Sequence, residues 1–196
     1  SGNQNTALGT RALISNTTAD NNVAVGNDAL YANTSGTENV AVGSLALDAV
    51  TTSSDNTAIG FAALTANTAG NNTGLGAYAL YSNTTGTQNV AVGAYALDAV
   101  TTNGTNTAIG YAALTASNGG NYNTAVGGAT LMGLTTGAQN TAVGASAGEE
   151  ITTGENNLCL GLNAGRSSSP SGTITTGSNN VVLGNNSISN LYCADT

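Results

Sequence analysis

The amino-acid sequence predicts an all-β chain: a parallel β-solenoid, or β-roll, of about eleven coils with 17 residues to a coil. Three observations lead there. First, an Asn, usually followed by Thr or Val, then a small residue, an aliphatic and Gly, recurs at Asn5, Asn22, Asn39, Asn56, Asn72, Asn89, Asn106, Asn123, Asn140, Asn157 and Asn180; eight of the ten spacings are 17 residues, one is 16 and one is 23. Second, the motif alternates as a strand does: in NVAVG, Val23 and Val25 share one face and Ala24 takes the other. Third, the unit is too short for a helical-hairpin repeat, which needs roughly 33 residues.

Each part of the unit has a physical reason. β-branched residues favour the pleated backbone of the first segment, and Gly closes it where a short strand turns sharply with positive φ. Two residues on, a second apolar segment follows, usually Ala-Leu: Ala29-Leu30, Ala46-Leu47, Ala63-Leu64, Ala96-Leu97. A polar, turn-rich stretch such as YANTSGTE or DAVTTSSD completes the circuit.

Stacked coils lie about 4.8 Å apart, so like positions form columns along a rod of roughly 50 Å. The fourth column is aliphatic throughout, from Leu8, Val25, Val42 and Ile59 to Leu160 and Leu183, and is expected to face the core. The second column mixes Thr and Val, as at Thr57, Thr73, Val90 and Thr107, and is expected inside with it. The third column is small, from Ala7 and Ala24 to Cys159 and Val182, and is expected to face outward, where it permits close approach of another chain. The Asn column is structural, and two roles fit it: an amide ladder from coil to coil, or a local turn in left-handed backbone. So short a coil encloses few side chains and leaves much apolar surface open, which self-association would cover; a homotrimer is expected.

Residues 22–71 resemble residues 72–122, three coils against three, so NTAIGFAAL at 56–64 returns as NTAIGYAAL at 106–114. Duplication of a three-coil block accounts for this. Near the C-terminus the period loosens. An insertion around 166–179 carries the chain's single proline, Pro170, and Gly148 and Gly165 stand where earlier units have Leu, which predicts a narrower cross-section. Residues 1–184 are read as one solenoid domain and 185–196, with Ile188 and Leu191, as a junction to something that follows.

Composition narrows function. With 2 Lys plus Arg, 10 Asp plus Glu and a net charge of −8, the chain cannot neutralise a run of phosphates or an anionic membrane surface, so no nucleic acid and no membrane insertion is expected. Only 6% of residues are charged, against roughly 25% in an average domain, so the polar surface is Asn, Thr, Ser and Gly. No apolar run reaches the roughly 18 residues of a membrane span, and the opening SGNQNT lacks the parts of a signal peptide and reads as a cut start.

Catalytic constellations are missing from the pattern. His is absent, and Cys159 and Cys193 have no neighbouring Cys, so no metal, cofactor or cysteine nucleophile is expected and both thiols are read as reduced. Asp48 and Asp98 stand three coils apart, too far for paired-carboxylate hydrolysis, and Glu149 and Glu150 would face oppositely if extended. The chain is read as non-catalytic. Aromatics are the candidates for recognition: Tyr31 and Tyr81 follow Ala-Leu, while Phe61, Tyr78, Tyr95 and Tyr111 lie between Gly and Ala-Leu. An amphipathic ring at a surface either packs between chains or stacks on a ligand.

NTAIGYAAL, NVAVGAYALDA and ALYSNTTGTQN resemble the repeats of phage tail fibres, and are similar to the NSVAIG motif of trimeric autotransporter adhesin heads. The resemblance covers nearly the whole chain. It implies a left-handed roll, three chains side by side, and the aliphatics Val23 and Val25 pointing inward. VVLGNNSISNLYCADT looks like the stretch before the C-terminal intramolecular chaperone of many phage fibres, which cleaves itself with a Ser and Lys pair; this chain has no Lys. The resemblance implies a structural and adhesive role in a virion tail fibre or at a cell surface, with host glycans or proteins and other fibre or tail proteins as partners. Two alternatives are an ice-binding solenoid, which the expected inward Thr column disfavours, and a polysaccharide-degrading tailspike.

Overall fold

A computed structural model describes residues 2–118, 120–169 and 171–188 and bears out the parallel β-solenoid. Pro170, Leu191 and Cys193 lie outside the described residues. Eleven three-residue strands form one sheet in sequence order: β1 (Thr6–Leu8), β2 (Val23–Val25), β3 (Val40–Val42), β4 (Thr57–Ile59), β5 (Thr73–Leu75), β6 (Val90–Val92), β7 (Thr107–Ile109), β8 (Thr124–Val126), β9 (Thr141–Val143), β10 (Leu158–Leu160) and β11 (Val181–Leu183). Every pairing is parallel and pairs like with like: Val23 with Val40, Ala24 with Ala41, Val25 with Val42. The short coil between β4 and β5 keeps this register, with Thr57 opposite Thr73, and so does the long one, with Leu158 opposite Val181. No described residue is helical.

The ladder continues through the turns. Beyond the strands, Leu30 N–H donates to Ala46 O at 3.0 Å and Asp28 N–H to Thr10 O at 3.0 Å, so turn backbone also bonds one coil away. Left-handed backbone recurs at fixed places in the second coil: Gly26 (φ 137°), Asp28 (φ 58°) and Leu30 (φ 50°), then Glu38 (φ 60°) just before the next Asn. Such φ values disfavour a side chain. Their repetition in coil after coil shows that inter-coil hydrogen bonds and core burial outweigh the local cost.

The two faces of each strand are the reverse of the sequence expectation. Ala24, Ala41, Ala58, Ala91, Ala108 and Ala125 are fully buried, so the small third column faces the core. The aliphatic fourth column faces out, with Leu8, Ile59, Leu75, Ile109, Val143 and Leu183 all exposed. Val23 and Val25, expected inside, are only half-buried. The second column lies outside too: Thr57, Thr73, Val90 and Thr107 are half-buried and share the face of the fourth. The reason is space. Leu30, Leu47, Leu64, Leu80, Leu97 and Leu114 are fully buried and fill the centre of each coil, so the strand across from them has room only for Ala.

Two further columns complete the core. The Asn column is buried from Asn22 to Asn157, and a second inward column alternates in chemistry: Asn33, Val50, Asn67, Asn83, Val100, Ser117, Leu134, Ile151. Where Gly148 replaces Leu, a Cβ would lie 2.7 Å from Leu131 Cδ2 and 3.1 Å from Ile151 Cδ1, so neighbouring side chains occupy the lost volume. At Gly165 the Cys159 sulfur and Ile174 do the same, at 3.0 and 3.8 Å from the Cβ position. Ile174 is buried and marks where the chain returns to the core after the insertion.

Candidate functional site

The ladder Asn side chains link coils through backbone and side chain together. Asn56 Oδ1 accepts the backbone N–H of Asn72 at 3.1 Å, Asn72 Oδ1 that of Asn89 at 3.0 Å, and Asn89 Oδ1 that of Asn106 at 3.1 Å. From Asn5 to Asn157 each Nδ2 reaches a carbonyl in its own or the next turn, as from Asn106 to Gly120 O at 3.1 Å. Of the two roles open to the column, the ladder is the one observed, because the left-handed residue is the one before it, such as Asn71 or Gln88. Buried amides so saturated leave no group free for a ligand.

The expected aromatics lie instead on the turn face, where the duplicated block places its rings. Five of the six expected aromatics meet there. Phe61 packs edge-on against Tyr78 (centroids 5.3 Å apart, 78°), Tyr78 stacks on Tyr95 (5.2 Å, 11°), and Tyr95 meets Tyr111 edge-on (6.1 Å, 81°). Tyr81 adjoins the row, 5.5 Å from Tyr78. The steps are near one coil height of about 4.8 Å: Tyr78 and Tyr95 hold the same turn position in adjacent coils, and Phe61 and Tyr111 stand one position earlier in theirs. All but Tyr78 are exposed.

Tyr31 stands apart from the row. Arg11 lies over its ring, 5.3 Å from the centroid, and pairs with Asp28 at 2.6 Å. With Leu45 and Asp48 these residues line a cleft of about 230 Å³. Sequence reasoning passed over Arg11, Asp28 and Asp48 as a group, although the repeat register that aligns Tyr31 with Asp48 was available. It also passed over Tyr122, a residue 62% exposed and therefore open to contact.

The block duplication repeats a pairing of tyrosine with aspartate. Ala32 N–H donates to Asp48 O, and Ser82 N–H to Asp98 O, so Asp48 stacks beside Tyr31 and Asp98 beside Tyr81. Both carboxyls are pushed above their usual range by burial; backbone N–H groups pull the other way, and Asp28 adds repulsion at Asp48. One oxygen of each, Oδ1, is out of solvent without a hydrogen-bond partner.

Two further acids, Glu149 and Glu150, are held by arginine. Arg166 pairs with Glu149 at 2.9 Å and Glu150 at 3.5 Å, so the two glutamates share one guanidinium and do not face oppositely; their segment is a turn, and the alternation of a strand does not apply. Cys159 is free and buried, and burial raises its thiol to about 11. Among the described residues no three His, Cys, Asp or Glu side chains cluster as a metal site would require. Comparison of the chain with protein-family models, curated proteins and solved structures returns no match.

Proposed function

We propose that this chain is a non-catalytic structural and adhesive segment of a fibre, a phage tail fibre or a bacterial surface adhesin, which self-associates as a homotrimer and contacts or presents contacts for host surface receptors. One observation carries the reading: the outward sheet face bears an aliphatic column along the whole rod, with Leu8 67%, Leu75 42%, Ile109 40% and Val143 41% exposed. Soluble monomers rarely expose a continuous apolar patch of that size. A strip about 50 Å long and roughly 10 Å wide offers about 500 Å² per chain. Three strips meeting about one axis then reach the range of specific interfaces. The assembly surface is thus the second and fourth columns rather than the alanines. Eleven coils, left-handed winding and parallel chains belong to the same reading, as does a place in the virion or at the cell surface.

Light scattering on the purified chain tests the assembly and is expected to give three times the mass of one chain. A stable monomer at micromolar concentration overturns it.

A second reading gains from the same face. The second column carries Thr57, Thr73, Thr107, Thr124 and Thr141 outward on a regular sheet, so the objection to an ice-binding solenoid, that its threonines point inward, falls. The two readings compete for one surface. A thermal hysteresis measurement separates them, because trimers would hide the face that must meet ice.

A further inference from the structure

We propose that the ring row on the turn face, Phe61, Tyr78, Tyr95 and Tyr111 with Tyr81 beside it, is a binding site for an uncharged, unbranched oligosaccharide lying along the rod. The proposal deepens the adhesive reading by naming the class of receptor, and it uses a face other than the assembly face.

The geometry gives the rings two jobs. Tyr78 and Tyr95 occupy the same position of adjacent coils, with ring centroids 5.2 Å apart and planes nearly parallel at 11°. Phe61 and Tyr111 bracket the pair, each turned by about 80° from its neighbour. These two bracketing rings are 46% and 65% exposed. Exposed rings at either end, turned across a parallel pair of phenols, fit a chain of pyranose rings, whose C–H faces stack on aromatics and whose equatorial hydroxyls point sideways.

Spacing and charge make the same selection. The centroid steps of 5.3, 5.2 and 6.1 Å follow the coil height, and an extended sugar chain advances by a similar step per ring. Hydrogen-bonding groups line the row: Thr115, whose hydroxyl reaches Tyr95 O at 3.2 Å, and Asp98 in the column of Tyr81. The chain's arginines, Arg11 and Arg166, lie towards the two ends of the solenoid, so nothing in the row attracts an anion and the net charge of −8 repels one. Mutual packing also holds each ring in place, which lowers the entropy lost on binding.

Native affinity electrophoresis tests this in gels cast with the linear neutral polymers pullulan, low-branched dextran, glucomannan or hydroxyethyl cellulose, with alginate as the acidic counterpart and light scattering on every variant. Retardation is expected in at least one neutral gel and not in alginate. Phe61→Ala and Tyr111→Ala are each expected to weaken it about tenfold, and Tyr78→Phe with Tyr95→Phe by less. Tyr122→Ala, outside the row, is expected to leave it unchanged. Free migration in all four neutral gels, retardation in alginate alone, or retention that survives Phe61→Ala and Tyr111→Ala overturns the site. Trimers that run freely overturn the sugar site and leave the fibre reading intact; retained monomers do the opposite.

Discussion

Asn140 Oδ1 accepts both the backbone N–H and the side-chain amide of Asn157, each at 3.0 Å, one coil further along the rod. The Asn140 amide in turn donates to Gly154 O at 2.8 Å, and its own backbone N–H is taken by Asn123 Oδ1 at 2.9 Å. Every coil is joined to its neighbour by such an atom. Asn140→Ala strands the N–H of Asn157 and the carbonyl of Gly154 inside the rod, at about 1–3 kcal/mol each. A loss of about 3 kcal/mol in urea unfolding is expected, and an unchanged midpoint would show that the ladder is incidental.

The reversed strand faces make a paired prediction. Ala91 is fully buried opposite the Leu column and its neighbour Val92 points out. Ala91→Val overpacks a filled interior and is expected to cost about 1–3 kcal/mol. Val92→Thr is expected to leave far-UV circular dichroism unchanged and to weaken self-association. The opposite pattern would restore the orientation expected from the sequence.

Gly93 ends β6 at φ 129°, and a Cβ there would stand 2.5 Å from Gly110 O in the next coil. Neither the backbone nor that carbonyl can give way without breaking the stack. Gly93→Ala is expected to destabilise by about 3 kcal/mol or more, read as a fall in thermal midpoint.

Acidity has a predictable sign. Burial raises the pKa of Asp48 and Asp98 above 3.8, so the folded chain holds those protons more tightly than the unfolded chain does. Their contribution to stability is therefore greatest below 3.8 and is lost as pH rises through the raised value. Asp48→Asn keeps the acceptor oxygen and removes the charge beside Asp28. It is expected to raise the thermal midpoint at pH 7 and to leave it unmoved at pH 3.5, whereas a lower midpoint at pH 7 would contradict the assignment.

Cys159 lies in the buried third column, and its thiol is raised to about 11. At pH 7 its thiolate fraction is about one in ten thousand, and the sulfur is out of reach. Peptide mapping after iodoacetamide is expected to find Cys159 unmodified in the native protein and alkylated in urea. Rapid native alkylation would mean that the coil opens.

Sequence alone determined the period, the strand within each unit, the Gly that turns it and the parallel, in-register stack, because a column of like residues is itself a record of what touches what. Alternation in Val23-Ala24-Val25 showed that two faces exist but gave no sign for them. Only the closed coil decided that sign: Leu30, turned inward on left-handed backbone, uses the central space, so Ala24 fits opposite it and the larger valines are pushed out. The same held for the site. Six aromatic positions were legible from the chain, yet whether they form one row depended on turn columns meeting across coils, which joined Phe61, Tyr78, Tyr81, Tyr95 and Tyr111 and left Tyr31 with Arg11.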